Sequence, residues 1–202
     1  MDAPLQTTTA LLEGLFDTGN DAVWEEFHAR YAPIILAVAR RLGLNEQDAA
    51  DVSQETLIKF LQEYRAGKYA RDRGRLRSWI IGIAKSRVAD LRRARARRRE
   101  WRGESAIDAL PGEDKLAEIW EEECRHEIFR RALSELREGT KLDERTIRAF
   151  ECLCFDQQKP SDVAKKQNMP LESVYKAKQR CLEQLRTIIR RLNTSYELEE
   201  VE

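Results

Sequence analysis

Glycine and proline are scarce in this sequence, 9 and 5 in 202 residues, too few for an architecture of strands and tight turns. Histidine occurs only at His28 and His126, which leaves little to build an imidazole-based catalytic site. No glycine-rich phosphate loop and no Ser/His/Asp arrangement stands out. The cysteines, Cys124, Cys152, Cys154 and Cys181, lack the spacing of a disulfide framework. Cys152 and Cys154 are separated by one residue, not the two of a zinc knuckle or redox pair. Cys124 and His126 make at most half a metal site, and small residues on helix faces in a reducing compartment is the better reading. The longest unbroken apolar run, Ala32 to Ala39, falls far short of the ~20 residues that cross a bilayer. Met1-Asp2-Ala3-Pro4 has neither the basic start nor the apolar stretch of a signal peptide. These absences argue against an enzyme, a cofactor, a metal or membrane insertion, and the expectation is a soluble, cytoplasmic chain.

What the chain has in excess is charge. Charged residues make up 36% and apolar residues 42%, against a usual charged share of about 25%. Net charge is zero, but the signs are segregated. Residues 1–64 carry 4 basic and 11 acidic residues, and residues 65–102 carry 15 and 3. Residues 103–144 carry 6 and 13, residues 145–195 carry 11 and 5, and the last seven residues add four glutamates. Two basic segments in a neutral chain fit two contacts with a polyanion such as nucleic acid, where counterion release drives affinity. The acidic blocks fit a basic protein surface, or shield the basic blocks until a partner arrives. A solvated face explains any one charge run equally well, so other features must decide.

Periodicity reads as a series of helices. Residues 21–42, with Asp21 as N-cap, carry Val23, Phe27, Ile34, Ile35 and Val38, and Gly43 sits where a helix ends. Asn45 caps a second helix to about Tyr64, with Asp48 in its first turn. A basic loop from Arg65 to Arg75 precedes a long helix starting at Leu76, whose apolar stripe includes Trp79 and ends near Leu91. The run Arg92 to Arg99 then reads as a basic extension leaving the domain and tracking phosphates. Helices follow at about 115–138 and 143–155. Ser161 caps a short helix, a turn holds Asn168, Met169 and Pro170, and a longer helix carries Val174, Ala177, Cys181, Leu185, Ile188 and Leu192. A short helix, a tight turn and a longer amphipathic helix with exposed bases form a helix-turn-helix pattern. A helical hairpin with charged surfaces produces the same pattern.

Stretches in two regions of the chain resemble bacterial sigma factors. Asp48-Ala49-Ala50-Asp51-Val52-Ser53-Gln54-Glu55-Thr56 resembles the core-polymerase-binding helix of region two. Arg71 to Ile80, followed by Ile83-Ala84-Lys85-Ser86-Arg87 and Asp90, resembles its promoter-melting part, and Pro160 to Arg186 resembles the helix-turn-helix of region four. The two regions joined by a short linker follow the plan of extracytoplasmic-function sigma factors of the sigma-70 family. The resemblance implies binding to core RNA polymerase through Asp48, Asp51, Gln54 and Glu55, the three carboxylates sharing one helical face. It implies minus-ten contacts from Lys68, Tyr69, Arg71, Arg73, Arg75, Arg77, Lys85, Ser86 and Arg87, where a base extruded from the opened duplex is held. It implies minus-thirty-five contacts from Lys165, Lys166, Glu172, Ser173, Lys176, Lys178, Gln179 and Arg180. The family has an acid where this chain has Ala50, and phosphorylation of Ser53 or Thr56 by a regulatory kinase would restore negative charge there. An anti-sigma protein is the other regulatory partner that the resemblance implies.

The expected fold is all-α, with two small helical domains joined by a linker. Residues 1–19 are an N-terminal extension, 20–101 region two, 102–118 the linker, 119–193 region four and 194–202 an acidic tail. Two other readings stay open: a helix-turn-helix regulator that acts without polymerase, and a helical nucleic-acid enzyme. Asp72 and Asp90 are the only acids in 65–99, too few for a two-metal site.

Overall fold

The computed structural model describes residues 8–17, 19–69, 75–100 and 110–196. Eight helices account for nearly all of them: α1 (Thr8–Gly14), α2 (Asp21–Arg41), α3 (Glu46–Arg65), α4 (Leu76–Glu100), α5 (Glu113–Glu138), α6 (Glu144–Cys154), α7 (Pro160–Lys166) and α8 (Leu171–Tyr196). No strand occurs among the described residues. The chain divides into two compact units within α5, one of Thr9–Glu127 and the other from Ile128 onward.

In the first unit, apolar residues at steps of three and four close a bundle of α2, α3 and α4. Phe27, Ile34, Ile35, Leu57, Phe60, Ile80 and Val88 have 1% or less of their surface exposed. Phe60 stacks on Phe27 with ring centroids 5.0 Å apart and meets Trp79 edge-on at 5.7 Å. Trp79 in turn stacks on Tyr69 at 4.9 Å. Aromatic contacts thus run from α2 through α3 to α4 and the start of the basic loop. Arg30 is fully buried and donates to Glu26 Oε1 at 2.6 Å, one turn earlier on α2.

Local chemistry sets the helix ends. The N-cap of α2 is Asn20, whose Oδ1 accepts from the Val23 N–H. The expected cap, Asp21, is instead the first helical residue, where its charge favours the helix dipole. Asn45 caps α3 as expected, accepting from the Asp48 N–H at 2.9 Å. Gly43 and Gly67 follow α2 and α3 at φ +87° and +68°, the left-handed conformation that a Schellman ending requires. Leu44 N–H reaches back to the Ala39 carbonyl, and Lys68 N–H to that of Glu63.

Periodicity did not find α1. Its Leu11, Leu12 and Leu15 are buried, Phe16 packs on Tyr64 at 4.6 Å, and Arg65 Nε donates to the Leu15 carbonyl. The start of α5 joins the same unit, where a linker to residue 118 was expected. Leu116, Ile119, Trp120 and Cys124 are buried. Arg41 Nη1 donates to Glu122 at 2.7 Å and Glu123 at 3.1 Å, and Arg77 Nη1 to Glu121 at 2.6 Å. The hydrogen bond from Arg41 holds the Glu122 carboxyl below the usual carboxylate range.

In the second unit α6, α7 and α8 surround Ala149, Cys152, Val163, Val174 and Ala177. Asp143 caps α6, accepting from Thr146 through both its side chain and its backbone N–H. Those bonds hold the Asp143 carboxyl low. Ser161 does not cap α7: the N-cap is Lys159, without a side-chain bond, and Pro160 fills the first turn, where its missing N–H costs nothing. Asn168 adopts φ +47°, and the Met169 N–H bonds the Ala164 carbonyl at 3.0 Å. This is the Schellman ending that turns the chain from α7 into α8.

The two proposed phosphorylation positions face inward. Ser53 is 4% exposed and its hydroxyl donates to the Ala32 carbonyl at 3.0 Å. Thr56 is fully buried. A kinase reaches neither hydroxyl in the folded unit, so that expectation is withdrawn. The period of α3 explains it, because Ser53 and Thr56 flank Val52 and Leu57 on the core side.

Two outcomes follow for stability. A low native value means that the Asp143 carboxylate contributes above the ordinary aspartate range and loses that contribution as pH falls through its native pKa. Asp143→Ala is expected to cost about 1 kcal/mol at neutral pH and progressively less below about pH 4, read from denaturant unfolding at several pH values. Ser53→Asp places an unpaired carboxylate in the core and is expected to cost more than about 2 kcal/mol; a thermal melt equal to that of the native chain would refute the burial.

Candidate nucleic-acid interface

The side of α3 away from the core carries the candidate polymerase contacts. Ala49, Val52, Leu57 and Phe60 are buried, which leaves Asp51, Gln54 and Glu55 exposed. Asp51 accepts from Gln47 Nε2 at 3.3 Å. Glu55 keeps 60% of its side chain exposed and lies 3.8 Å from Arg87 Nε on α4. Asp48 differs, with 15% exposure and an ion pair to Arg95. Three carboxylates do share a face, but two of them already hold an arginine of α4.

Helix α4 buries Leu76, Ile80, Ile83, Ala84 and Val88 and turns its basic residues to the other faces. Arg75 and Ser86 are exposed, Lys85 and Arg87 half-buried, and Arg77 is held by Glu121. The expected basic extension is partly tied down. Arg92 donates to the Leu42 carbonyl and Arg95 to Asp48, while Arg93 pairs with Asp90 on α4 itself. Arg92 and Arg95 thus bind α2 and α3 and are not spread out along a phosphate backbone. Arg92 and Arg95, three residues apart, lie on one side of the helix, and their guanidinium groups have the reach to fold back on the bundle, which a count of charges cannot reveal.

At the start of the basic loop Lys68 is exposed, and Tyr69 is half-buried against the Trp79 ring. Trp79 is itself only half-buried, so the Tyr69–Trp79 pair is a ring stack at the edge of the core. Arg71 and Arg73 lie outside the described residues.

In the second unit the inner side of α8 is Val174, Ala177, Cys181, Leu185, Ile188 and Leu192, the stripe that periodicity predicts. On the outer side Glu172, Lys176, Lys178, Gln179 and Arg180 are exposed, as are Lys165 and Lys166 at the end of α7. Ser173 is half-buried. Glu172 pairs with Lys176 at 2.5 Å and Gln179 with Glu183 at 3.1 Å. Sequence reasoning missed Leu171 and Tyr175, which expose 46% and 53% of their surface among these polar residues. Their one-turn separation at the start of the helix was the available signal. An arrangement of lysines and arginine around an exposed aromatic ring suits a nucleic-acid surface.

Among the described residues no group of His, Cys, Asp and Glu could hold a metal ion. Burial pushes the Cys124 thiol up to about 12 and the Cys181 thiol up to about 11, far from a reactive thiolate. His126 lies 3.6 Å from Glu123, and its side chain is 74% exposed. None of the described helices is long and apolar enough to cross a membrane.

Comparison with known proteins agrees with this geometry. The family model described as Sigma-70 region 2 matches residues 27–98, the span from α2 through α4. The ECF RNA polymerase sigma factor SigE of Mycolicibacterium smegmatis is 29% identical over 111 residues. That alignment covers 54% of this chain and 40% of the relative. Helices α2, α3 and α4, with their outward acids and basic α4, are thus the part of the chain that matches the Sigma-70 region 2 family model.

Proposed function

We propose that this chain is an extracytoplasmic-function-type sigma factor that acts in the cytoplasm. It binds core RNA polymerase, positions it at a promoter and assists opening of the DNA, with no covalent chemistry of its own. The observation that carries this reading is the region 2 match over 27–98, within which the acids of α3 stand outward and α4 presents basic residues. Asp51, Gln54 and Glu55 are the exposed polymerase contacts, and Asp48 joins them when Arg95 is drawn off. Lys68, Tyr69, Arg75, Arg77, Lys85, Ser86 and Arg87, with Arg71 and Arg73, serve the minus-ten element.

The helix-turn-helix of α7 and α8 serves the minus-thirty-five element. Lys165 and Lys166 take phosphates, and the exposed start of α8 enters the major groove. Ser173, half-buried, lies at its rim. An anti-sigma protein would be the regulatory partner, as the resemblance implies.

Reconstitution tests this. Added to bacterial core polymerase, the chain is expected to form a stable complex and to initiate from a promoter selected from genomic DNA. Asp51→Ala combined with Glu55→Ala is expected to weaken the complex about tenfold or more. Tight binding to duplex DNA with no binding to polymerase would move the protein to the polymerase-independent regulators. On a selected duplex, Lys178→Ala is expected to lower the slope of log affinity against log salt by about 1. An unchanged slope would remove Lys178 from the interface.

A further inference from the structure

The first half of α5 lies within the same compact unit as α2, α3 and α4, and its composition is unusual. Residues 113–123 hold six acids and one base. Its apolar side, Leu116, Ile119, Trp120 and Cys124, is buried, which orients the consecutive Glu121, Glu122 and Glu123. Glu121 takes Arg77 Nη1 at 2.6 Å, while Glu122 and Glu123 share Arg41 Nη1 at 2.7 and 3.1 Å. The partners are 44, 81 and 82 residues apart in the chain, so these are tertiary contacts, not neighbours on one helix. Arg41 closes α2 and Arg77 opens α4.

A guanidinium receives a carboxylate and a phosphate through the same forked donors. Arg77 is among the residues read above as minus-ten contacts, yet in this state its Nη1 is engaged by Glu121. Ion pairs this exposed, with 29% to 41% of the Arg77, Glu121, Arg41 and Glu122 side chains accessible, are individually weak and screened by salt. A polyanion offering several phosphates at once can displace them.

We propose that Arg41 and Arg77 form a binding site for the phosphate backbone of single-stranded DNA, and that Glu121, Glu122 and Glu123 occupy it as an internal, displaceable mimic of that backbone. The inference rests on the nucleic-acid reading of region 2 and adds to it Arg41 and the competition. The lysine-poor, glutamate-rich start of α5 then has a role that packing alone does not require, since packing needs only its apolar side.

The full chain, a labelled mixed-sequence single-stranded DNA and two triple variants test this. E121Q/E122Q/E123Q removes the mimic. E13Q/E25Q/E118Q removes the same charge from the same unit at exposed positions that hold neither arginine. The first is expected to bind DNA about tenfold more tightly than the second. R41Q, at a position outside the minus-ten contacts read above, is expected to bind DNA several-fold more weakly than the native chain, and thermal melts of all the variants show which of them are folded. Equal affinities of the two triple variants, or an R41Q affinity equal to the native one, would overturn the competition and leave the nucleic-acid reading intact. Failure of the native chain and both triple variants to bind DNA would overturn both.

Discussion

Phe60 is where the first unit is decided. Its ring touches Phe27 of α2, Tyr64 one turn along α3 and Trp79 of α4, so a single side chain fixes three helices. Aromatic pairs of this kind add specific geometry to the area they bury. With Phe60 inward, the 3.6-residue period leaves Asp51 and Glu55 no place but outside, and it buries Ser53 and Thr56. The same contact directs the Trp79 ring towards Tyr69. Thus the position of the basic loop's first residues, and the outward face of α3, follow from one packing choice. The buried Arg30 beside this core is paired with Glu26; removing a single member of such a pair is what costs most.

A chain that is 36% charged and has a thin core must also dispose of its own charges. It does so by pairing blocks of opposite sign: Asp48 with Arg95, Glu55 with Arg87, Glu121 with Arg77. Each pair joins a residue assigned to one partner with a residue assigned to another, or with the acidic α5. The free protein is consequently its own first ligand. Such pairs contribute little to stability when exposed, and that weakness is useful, because an arrangement held by many small terms is easily exchanged for a macromolecular partner.

Much of the fold was legible in the sequence. Amphipathic periods gave α2 and α3 to within a residue or so and the starts of α4 and α8, Gly43 and Asn45 marked the end of α2 and the start of α3, and the turn at Asn168 separated α7 from α8. The errors have physical causes. Asn20 and Asp21 are both good caps, and only the backbone decides between them. Pro160 starts α7 without help from Ser161, because a fixed φ and an absent N–H already suit a first turn. Helix α1 is too short for a period to show, and its three leucines matter only through what they pack against.

The candidate residues were legible as types and less so as states. That Asp51 is open while Asp48 is held could not be read from a spacing of three, nor could the return of Arg92 and Arg95 to the bundle. The acidic run at 113–123 was visible as composition, but its attachment to Arg41 and Arg77 depends on contacts across more than forty residues. Tyr175 was overlooked because an aromatic ring at helical spacing usually belongs to a core.

Helix α8 divides cleanly along its length. Val174, Ala177 and Cys181 are fixed against α6 and α7, and Asn168, in a conformation most residues resist, fixes the angle at which the helix sets out. Glu172, Tyr175, Lys176 and Gln179 touch none of that frame's interior. The outer strip is therefore free to drift while the frame stays constant, so gene duplication could yield paralogues with new sequence preferences on an unchanged scaffold. Such divergence would leave its trace as rapid substitution at four positions beside near-invariance at their neighbours.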